Sequence, residues 1–285
     1  MKARILGIDY HLPDKAVTNE DLDREHPEWG MEKLYDKSGI ATRYISASDE
    51  TASDLGVEAA RKLLQRNLVD LNEIDFLLYC TQSPDYFLPS AACIIQNHLQ
   101  LGTHIGAFDI NLGCSGYIYG LHLAKLLVET GSARTVLFIT ADTYTKYIHR
   151  HDRTVRPLFG DGAAATLVGP SSDGPGEIGH FALGTDGKGA NSLIVPAGCF
   201  RHPSSADTAR EYTDDSGCVR SAANLFMDGR AIFSFAITRI PHAISNLLTM
   251  AGLSPDDVDW YVYHQANKYM LENLAQRSGV PWSKM

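Results

Sequence analysis

The chain has 285 residues, 44% hydrophobic and 21% charged, which is ordinary globular usage and enough for one large or two medium domains. Twenty-five Lys and Arg against thirty-four Asp and Glu leave a formal charge of −9, which argues against nucleic-acid binding as the main role. No apolar run reaches the length of a membrane span, the N-terminus lacks the apolar stretch of a secretory signal, and five scattered cysteines without C-x-x-C pairs point to a reducing cytoplasm without structural zinc.

Residues 3–10 (ARILGIDY) read as a strand. Residues 53–67 read as a helix, with Ser53 as N-cap and Leu55, Ala59, Leu63 and Leu64 on its apolar side. A strand is expected at 75–81, a helix at 90–99, a buried strand at 105–112 (IGAFDINL) and a helix at 114–129 that stops at Gly131. Residues 135–141 (TVLFITA) and 163–168 read as strands, the second entered through a Gly-Asp-Gly turn in which Asp161 has a turn role and no acid–base one. Composition breaks at residues 169–176, a Gly/Pro/Ser stretch, which gives two domains, 1–170 and 171–285.

Beyond the break come a strand around 177–185, a polar excursion over 196–224, a helix near 229–251, a strand at 258–263 and a helix running to about Ser278. Alternating strands and helices indicate an α/β fold. The excursion is long for a compact domain, so it is functional or mobile, and a solvated insertion is the favoured reading. It contains Cys199 and Cys218. His149-Arg150-His151-Asp152-Arg153 lacks further ligands at metal-binding spacing, and the Gly184–Gly189 stretch lacks P-loop spacing and reads as a surface turn.

Two positions carry chemistry. Cys114, in Asn111-Leu112-Gly113-Cys114-Ser115-Gly116, follows a buried strand and opens a helix, with Tyr117, Leu121, Ala124, Leu127 and Val128 at helical spacing. Gly113 and Gly116 allow a tight turn, and the helix N-terminus is expected to hold the thiol below its free value. The competing reading is a buried structural cysteine. His264 ends the strand at 258–263 and precedes Gln265-Ala266-Asn267, where an α/β sheet presents catalytic groups; a hydrogen-bonded structural histidine is the alternative. A Cys and a His, each at a strand-to-helix junction, make a plausible nucleophilic pair.

These segments resemble the β-ketoacyl-acyl-carrier-protein synthase III family of thiolase-fold condensing enzymes. The resemblance rests on Ser38-Gly39-Ile40 with Arg43, Pro89-Ser90-Ala91-Ala92, the Cys114 segment, Phe159-Gly160-Asp161-Gly162-Ala163-Ala164-Ala165, Met227-Asp228-Gly229 and His264-Gln265-Ala266-Asn267. It implies two pseudo-duplicated α/β halves in a layered α-β-α-β-α arrangement, and a homodimer. It also implies Cys114 and His264 as catalytic residues, and Arg153, Leu88, Asn267 and Lys268 at substrate-contacting positions. Arg153 matches an arginine that contacts the nucleotide part of coenzyme A. Lys268 is a candidate contact for an acidic acyl carrier protein, although the next position, often basic in the family, is Tyr269. Condensation by decarboxylation needs no cofactor beyond the coenzyme A thioester, which is a substrate.

Three departures bear on this picture. The family's adenine-stacking Trp falls in a stretch reading Glu32-Lys33-Leu34-Tyr35-Asp36-Lys37-Ser38-Gly39, with Trp29 upstream and alignable only through an insertion. Leu88 stands where some members place a Phe that shortens the acyl pocket of the partner subunit, so an acyl chain longer than acetyl is expected. The family also continues beyond the point where this sequence ends, into the portion that carries its catalytic Asn and a glycine-rich oxyanion segment. Three functions follow: decarboxylative condensation with malonyl-acyl carrier protein, transfer of a Cys-bound acyl group to an amine or alcohol, or a non-catalytic partner subunit.

Overall fold

The computed structural model describes residues 1–171, 176–215 and 217–285. In chain order its helices and strands are β1 (Ala3–His11), β2 (Lys15–Thr18), α1 (Asn19–Glu25), α2 (Met31–Ser38), β3 (Thr42–Ile45), α3 (Ala52–Leu64), β4 (Ile74–Cys80) and α4 (Ala91–His98). Then follow β5 (Gly106–Ile110), α5 (Gly116–Glu129), β6 (Thr135–Asp142), β7 (Gly162–Pro170), β8 (Leu193–Ile194), β9 (Tyr212–Thr213), β10 (Val219–Arg220), β11 (Phe226–Met227), α6 (Gly229–Ala251) and α7 (Lys268–Ser278). Two compact units form. The first is Met1–Ala16, Tyr44–Tyr144 and Gly160–Phe181; the second is Val17–Arg43, Thr145–Phe159 and Ala182–Met285. The domain boundary expected after residue 170 follows the chain, whereas the units interleave along it. Residues 172–175 of the Gly/Pro/Ser break lie outside the described residues.

In the first unit five strands form one sheet in the order β1-β7-β6-β4-β5. β4 runs parallel to β5 and β6, and β7 runs antiparallel to both β1 and β6. Side chains alternate across these strands, and both faces are covered. Leu77 and Tyr79 of β4 and Leu137 and Ile139 of β6 meet Leu55, Ala59 and Leu63 of α3 and Ile95 of α4. Leu78 of β4 and Val136 and Phe138 of β6 face the other way, onto Leu121, Ala124 and Val128 of α5. Removing each such large side chain from water contributes roughly 1.5–3 kcal/mol, and β5 and α5, which flank the junction at 111–115, both pack into this sandwich.

Helix boundaries follow capping chemistry. α3 begins one residue earlier than expected because Thr51 is its N-cap, in a reciprocal capping box with Asp54. Ser53 instead donates to Asp85 Oδ2 at 2.5 Å. α4 has no cap from Ser90; Asp109 of β5 accepts from the N–H groups of Ala91 at 2.7 Å and Ala92 at 2.8 Å.

In the second unit α6 has the expected bounds and starts at Asp228, whose carboxylate accepts from the Arg230 and Ala231 amides, both at 3.0 Å. α6 packs against α7, and no residue of α6 is fully buried. Among the described residues the strands here are short: two-residue pairs of β8 with β11 and of β9 with β10, besides the parts of the two-stranded sheet of β2 and β3 that belong to this unit. Two expected strands are not formed. Residues 177–185 make only an isolated bridge, between Glu177 and Arg4. Residues 258–263 run without helix or strand, and the Tyr261 N–H donates to the Lys284 carbonyl at 2.8 Å. The side chains of this segment do alternate, with Trp260 and Val262 exposed and Tyr261 and Tyr263 half-buried. A strand also needs a neighbouring ladder, and among the described residues none lies beside it.

Candidate active site

Cys114 lies in the turn between β5 and α5, in the first unit. Here the glycines are required by close approach; neither has a positive φ. A Cβ on Gly116 would sit 2.4 Å from Cys80 Sγ, and one on Gly113 would sit 2.3 Å from Gln82 Oε1. The Gly116 N–H donates to the Gly113 carbonyl at 2.8 Å and closes the turn. α5 has no side-chain cap from Ser115.

The residue is exposed, unlike the buried structural cysteine of the competing reading. Its thiol is nevertheless not held low. Protein atoms crowded around the sulfur disfavour the thiolate and push the pKa up, its own backbone N–H pulls it down, and Asp142 adds a like charge. Cys80, beneath the turn, donates its thiol to the Leu112 carbonyl at 3.1 Å and is pushed by burial to about 11, so it stays protonated.

Asp142, at the end of β6, organises the floor of this site. Its Oδ1 accepts from the Gln82 N–H at 2.7 Å and from the hydroxyls of Thr81 and Ser83, both at 3.1 Å. Burial outweighs these bonds and raises its pKa to about 6. The Gln82 side chain in turn accepts from the Tyr144 hydroxyl and abuts Gly113. Sequence reasoning passed over Asp142 and Gln82. The available signal was a carboxylate directly after the apolar run of β6, at the carboxyl end of a strand.

Leu88 also belongs to the first unit. It is 81% exposed and precedes Pro89 through a cis peptide bond. Its neighbours Tyr86 and Phe87 are exposed as well.

The second unit carries His264, Asn267, Lys268 and Arg153. His264 sits in the non-strand run before α7, at the surface, where desolvation of its ring holds the pKa below the ordinary histidine value. Asn267 is the N-cap of α7, its Oδ1 accepting from the Met270 N–H at 2.8 Å. That bond accounts for an Asn here. Lys268 is exposed, with its stem against Gly39, where an added Cβ would lie 3.2 Å away. Tyr269 stacks on Phe233 of α6, centroids 5.4 Å apart, which explains an aromatic residue at that position.

Arg43, quoted with the Ser38-Gly39-Ile40 segment, is buried. It donates to the Val17 carbonyl at 3.1 Å, Asn19 Oδ1 at 2.7 Å and the Ile40 carbonyl at 3.4 Å. Arg153 is exposed, on the turn after His149-Arg150-His151-Asp152. Trp29 packs beside His26, whose ring meets His151 edge-on at 5.2 Å. Its ring stacks on His26 at 4.0 Å, and Arg156 lies over it at 5.8 Å. Among the described residues no group of three His, Cys, Asp or Glu side chains is placed to hold a metal ion. Nor is any helix among them long and apolar enough to cross a membrane.

Known proteins share both sequence and fold. Residues 108–187 match the family model 3-oxoacyl-[acyl-carrier-protein] synthase III, and residues 248–285 match that of its C-terminal part. A β-ketoacyl-[acyl-carrier-protein] synthase III from Chlamydia muridarum is 36% identical, over 100% of this chain and 84% of that protein. One from Caldanaerobacter subterraneus is 38% identical over 96% of this chain and 80% of that protein. A crystal structure titled 3-oxoacyl-(acyl-carrier-protein) synthase III superposes with a TM-score of 0.97 at 50% identity, over 100% of this chain and 84% of that one. The expected thiolase-type α/β architecture is therefore the architecture found, and the chain belongs to the β-ketoacyl-[acyl-carrier-protein] synthase III family.

Proposed function

We propose that this protein is an acyltransferase that condenses an acyl-coenzyme A with malonyl-acyl carrier protein, with loss of carbon dioxide, to give a β-ketoacyl-acyl carrier protein. The observation that carries the reading is Cys114, solvent-accessible in a glycine turn at the uncapped start of α5, in a chain of this family. The Cys114 sulfur attacks the thioester carbonyl, the carbon–sulfur bond to coenzyme A breaks, and coenzyme A leaves as a thiol. Backbone N–H groups at the turn suit the oxyanion that forms. Malonyl thioester then loses carbon dioxide, and its carbanion attacks the acyl-Cys114 carbonyl and expels the Cys114 thiolate. Desolvation favours the neutral form of His264, which suits a hydrogen bond to the thioester oxygen as the enolate develops. Because decarboxylation itself generates the nucleophile, the reaction calls for no metal or organic cofactor.

The remaining assignments belong to the same reading. Arg153 meets the nucleotide end of coenzyme A, with a planar guanidinium suited to phosphate and adenine. Asn267 meets the substrate from the start of α7, and exposed Lys268 meets the acidic carrier protein. Exposed Leu88 suits a homodimer in which it borders the partner's acyl pocket, and its flexible side chain leaves room for a chain longer than acetyl. The enzyme would act in the cytoplasm, where coenzyme A thioesters and acyl carrier protein are available.

Intact-protein mass spectrometry after incubation with acetyl-, hexanoyl- and octanoyl-coenzyme A tests this reading. A single acyl adduct that disappears in Cys114→Ala is expected, with the longer chains reacting faster. Malonyl-dependent carbon dioxide release should follow, and acyl transfer to amines without that release would refute condensation.

A further inference from the structure

The polar excursion over 196–224 reads from sequence as a solvated insertion, yet its second half is anchored. Cys218, Arg220, Ser221 and Leu225 are all buried. Arg220 is 2% exposed, and its Nε lies 3.1 Å from Oδ2 of Asp152, which is fully buried. A second guanidinium nitrogen bonds Asp214 at 2.7 Å, and the guanidinium also lies 5.3 Å over the Phe226 ring. Two further ties reach the same stretch. Glu211 meets His149 Nε2 at 3.1 Å, and the Tyr147 carbonyl accepts from the Leu225 N–H at 2.9 Å and the Asn224 amide at 3.1 Å.

The contacts to Asp152, His149 and Tyr147 tie the excursion to the turn that carries Arg153 and to the residues just before it. Asp152 precedes it, and the other oxygen of Asp152 accepts from the Thr154 N–H at 2.9 Å and from the Thr154 hydroxyl. The Asp152 carboxylate therefore bridges across Arg153 to the Thr154 backbone and is itself paired with Arg220. A buried pair of this kind is costly to break, because removing one partner strands the other charge. It adds little net stability over an apolar pair, so its value lies in geometry.

We propose that the excursion is a strap that presents Arg153 to the phosphorylated nucleotide of an acyl-coenzyme A donor, with Arg220 as the positioning residue. This rests on the reading of Arg153 given above. Arg220 touches no substrate; it acts through Asp152. The strap therefore affects only donors that carry the nucleotide, and acyl-pantetheine, which lacks it, is the control.

The experiment measures single-turnover acylation of Cys114 by acyl-coenzyme A and by acyl-pantetheine, in wild type, Arg220→Met, Arg220→Lys, Glu211→Gln and Arg153→Ala. Arg220→Met should raise the half-saturating concentration of acyl-coenzyme A about tenfold, leaving the maximal rate and the pantetheine reaction unchanged. Arg220→Lys should recover part of this, and Glu211→Gln should lose less. If Arg220→Met does not fold, the pair Asp152→Asn with Arg220→Met removes both charges and should show the same donor-selective loss. Hydrogen exchange at residues 149–156 reads the strap independently and should speed up in the Arg220 variants. No change with either donor, or an equal loss with both, overturns the proposal. Faster exchange together with an Arg153→Ala variant that shows no donor selectivity refutes the nucleotide role of Arg153 and leaves the strap itself standing.

Discussion

Gly116→Ala tests how the nucleophile turn is built. The new Cβ would lie 2.4 Å from Cys80 Sγ and 3.3 Å from Leu112 Cβ. An ordinary contact begins near 3.4 Å, so the sulfur must retreat by about 1 Å. It has little freedom to do so, being 96% buried and bonded to the Leu112 carbonyl at 3.1 Å. Overpacking of this kind costs about 1–3 kcal/mol. Alanine recovers up to about 1 kcal/mol of helix propensity, and less at the first helical position. The net expectation is about 1–2 kcal/mol of destabilisation and a slower Cys114 reaction with iodoacetamide. Cys80→Ala removes the obstructing atom, since Cys80 Cβ would be 3.9 Å away. Urea unfolding of the two single variants and the double variant forms a cycle. The double should be more stable than the sum of the singles by about 1 kcal/mol or more. Additivity within about 0.3 kcal/mol would show that the contact between turn and sulfur does not govern the site.

Asp142 makes a prediction with a definite sign. Its folded pKa of about 6 stands above the usual carboxylate value of about 3.9. Such a group favours folding fully below pH 4, and that contribution is lost as pH rises through about 6, to a total of up to roughly 3 kcal/mol. Asp142→Asn retains an acceptor for Thr81, Gln82 and Ser83, so it should gain stability relative to wild type at pH 7.5 but not at pH 4. Urea midpoints at the two pH values decide the matter. The same variant removes a like charge beside Cys114, so alkylation at pH 7 should accelerate. Thr51→Ala should cost about 1 kcal/mol through loss of the α3 cap. Thermal unfolding that ranked Ser53→Ala as the cap loss, with Thr51→Ala neutral, would refute the assignment.

Legibility in the sequence tracked how local each determinant is. The β5–α5 junction could be read because an apolar strand, a glycine turn and a helical repeat sit within 25 consecutive residues, and α6 because Asp228 caps it and Gly252 ends it in a left-handed conformation. The α4 cap could not be read, since Asp109 arrives from another strand. Nor could the burial of Arg220, which depends on Asp152 far upstream. The segment before His264 has the alternation of a strand, but a ladder is a property of two segments and one segment cannot announce it. The direction of the Cys114 shift was misread for a related reason. A helix terminus is visible in sequence, whereas the atoms that desolvate a sulfur and the Asp142 carboxylate come from other elements.

The strand order β1-β7-β6-β4-β5 has a consequence for the birth of the protein on the ribosome. The last strand of that sheet to be synthesised is not an edge strand; β7 slots between β1 and β6. Until residue 170 has emerged, β1 has no ladder to join and β6 offers an open, apolar edge. A nascent chain in this state carries the exposed edge that invites wrong pairing, and the closing contact spans nearly the whole first unit, so loop-closure entropy slows it. Chaperone dependence during translation should therefore end with the arrival of β7 and not with the completion of the Cys114 helix.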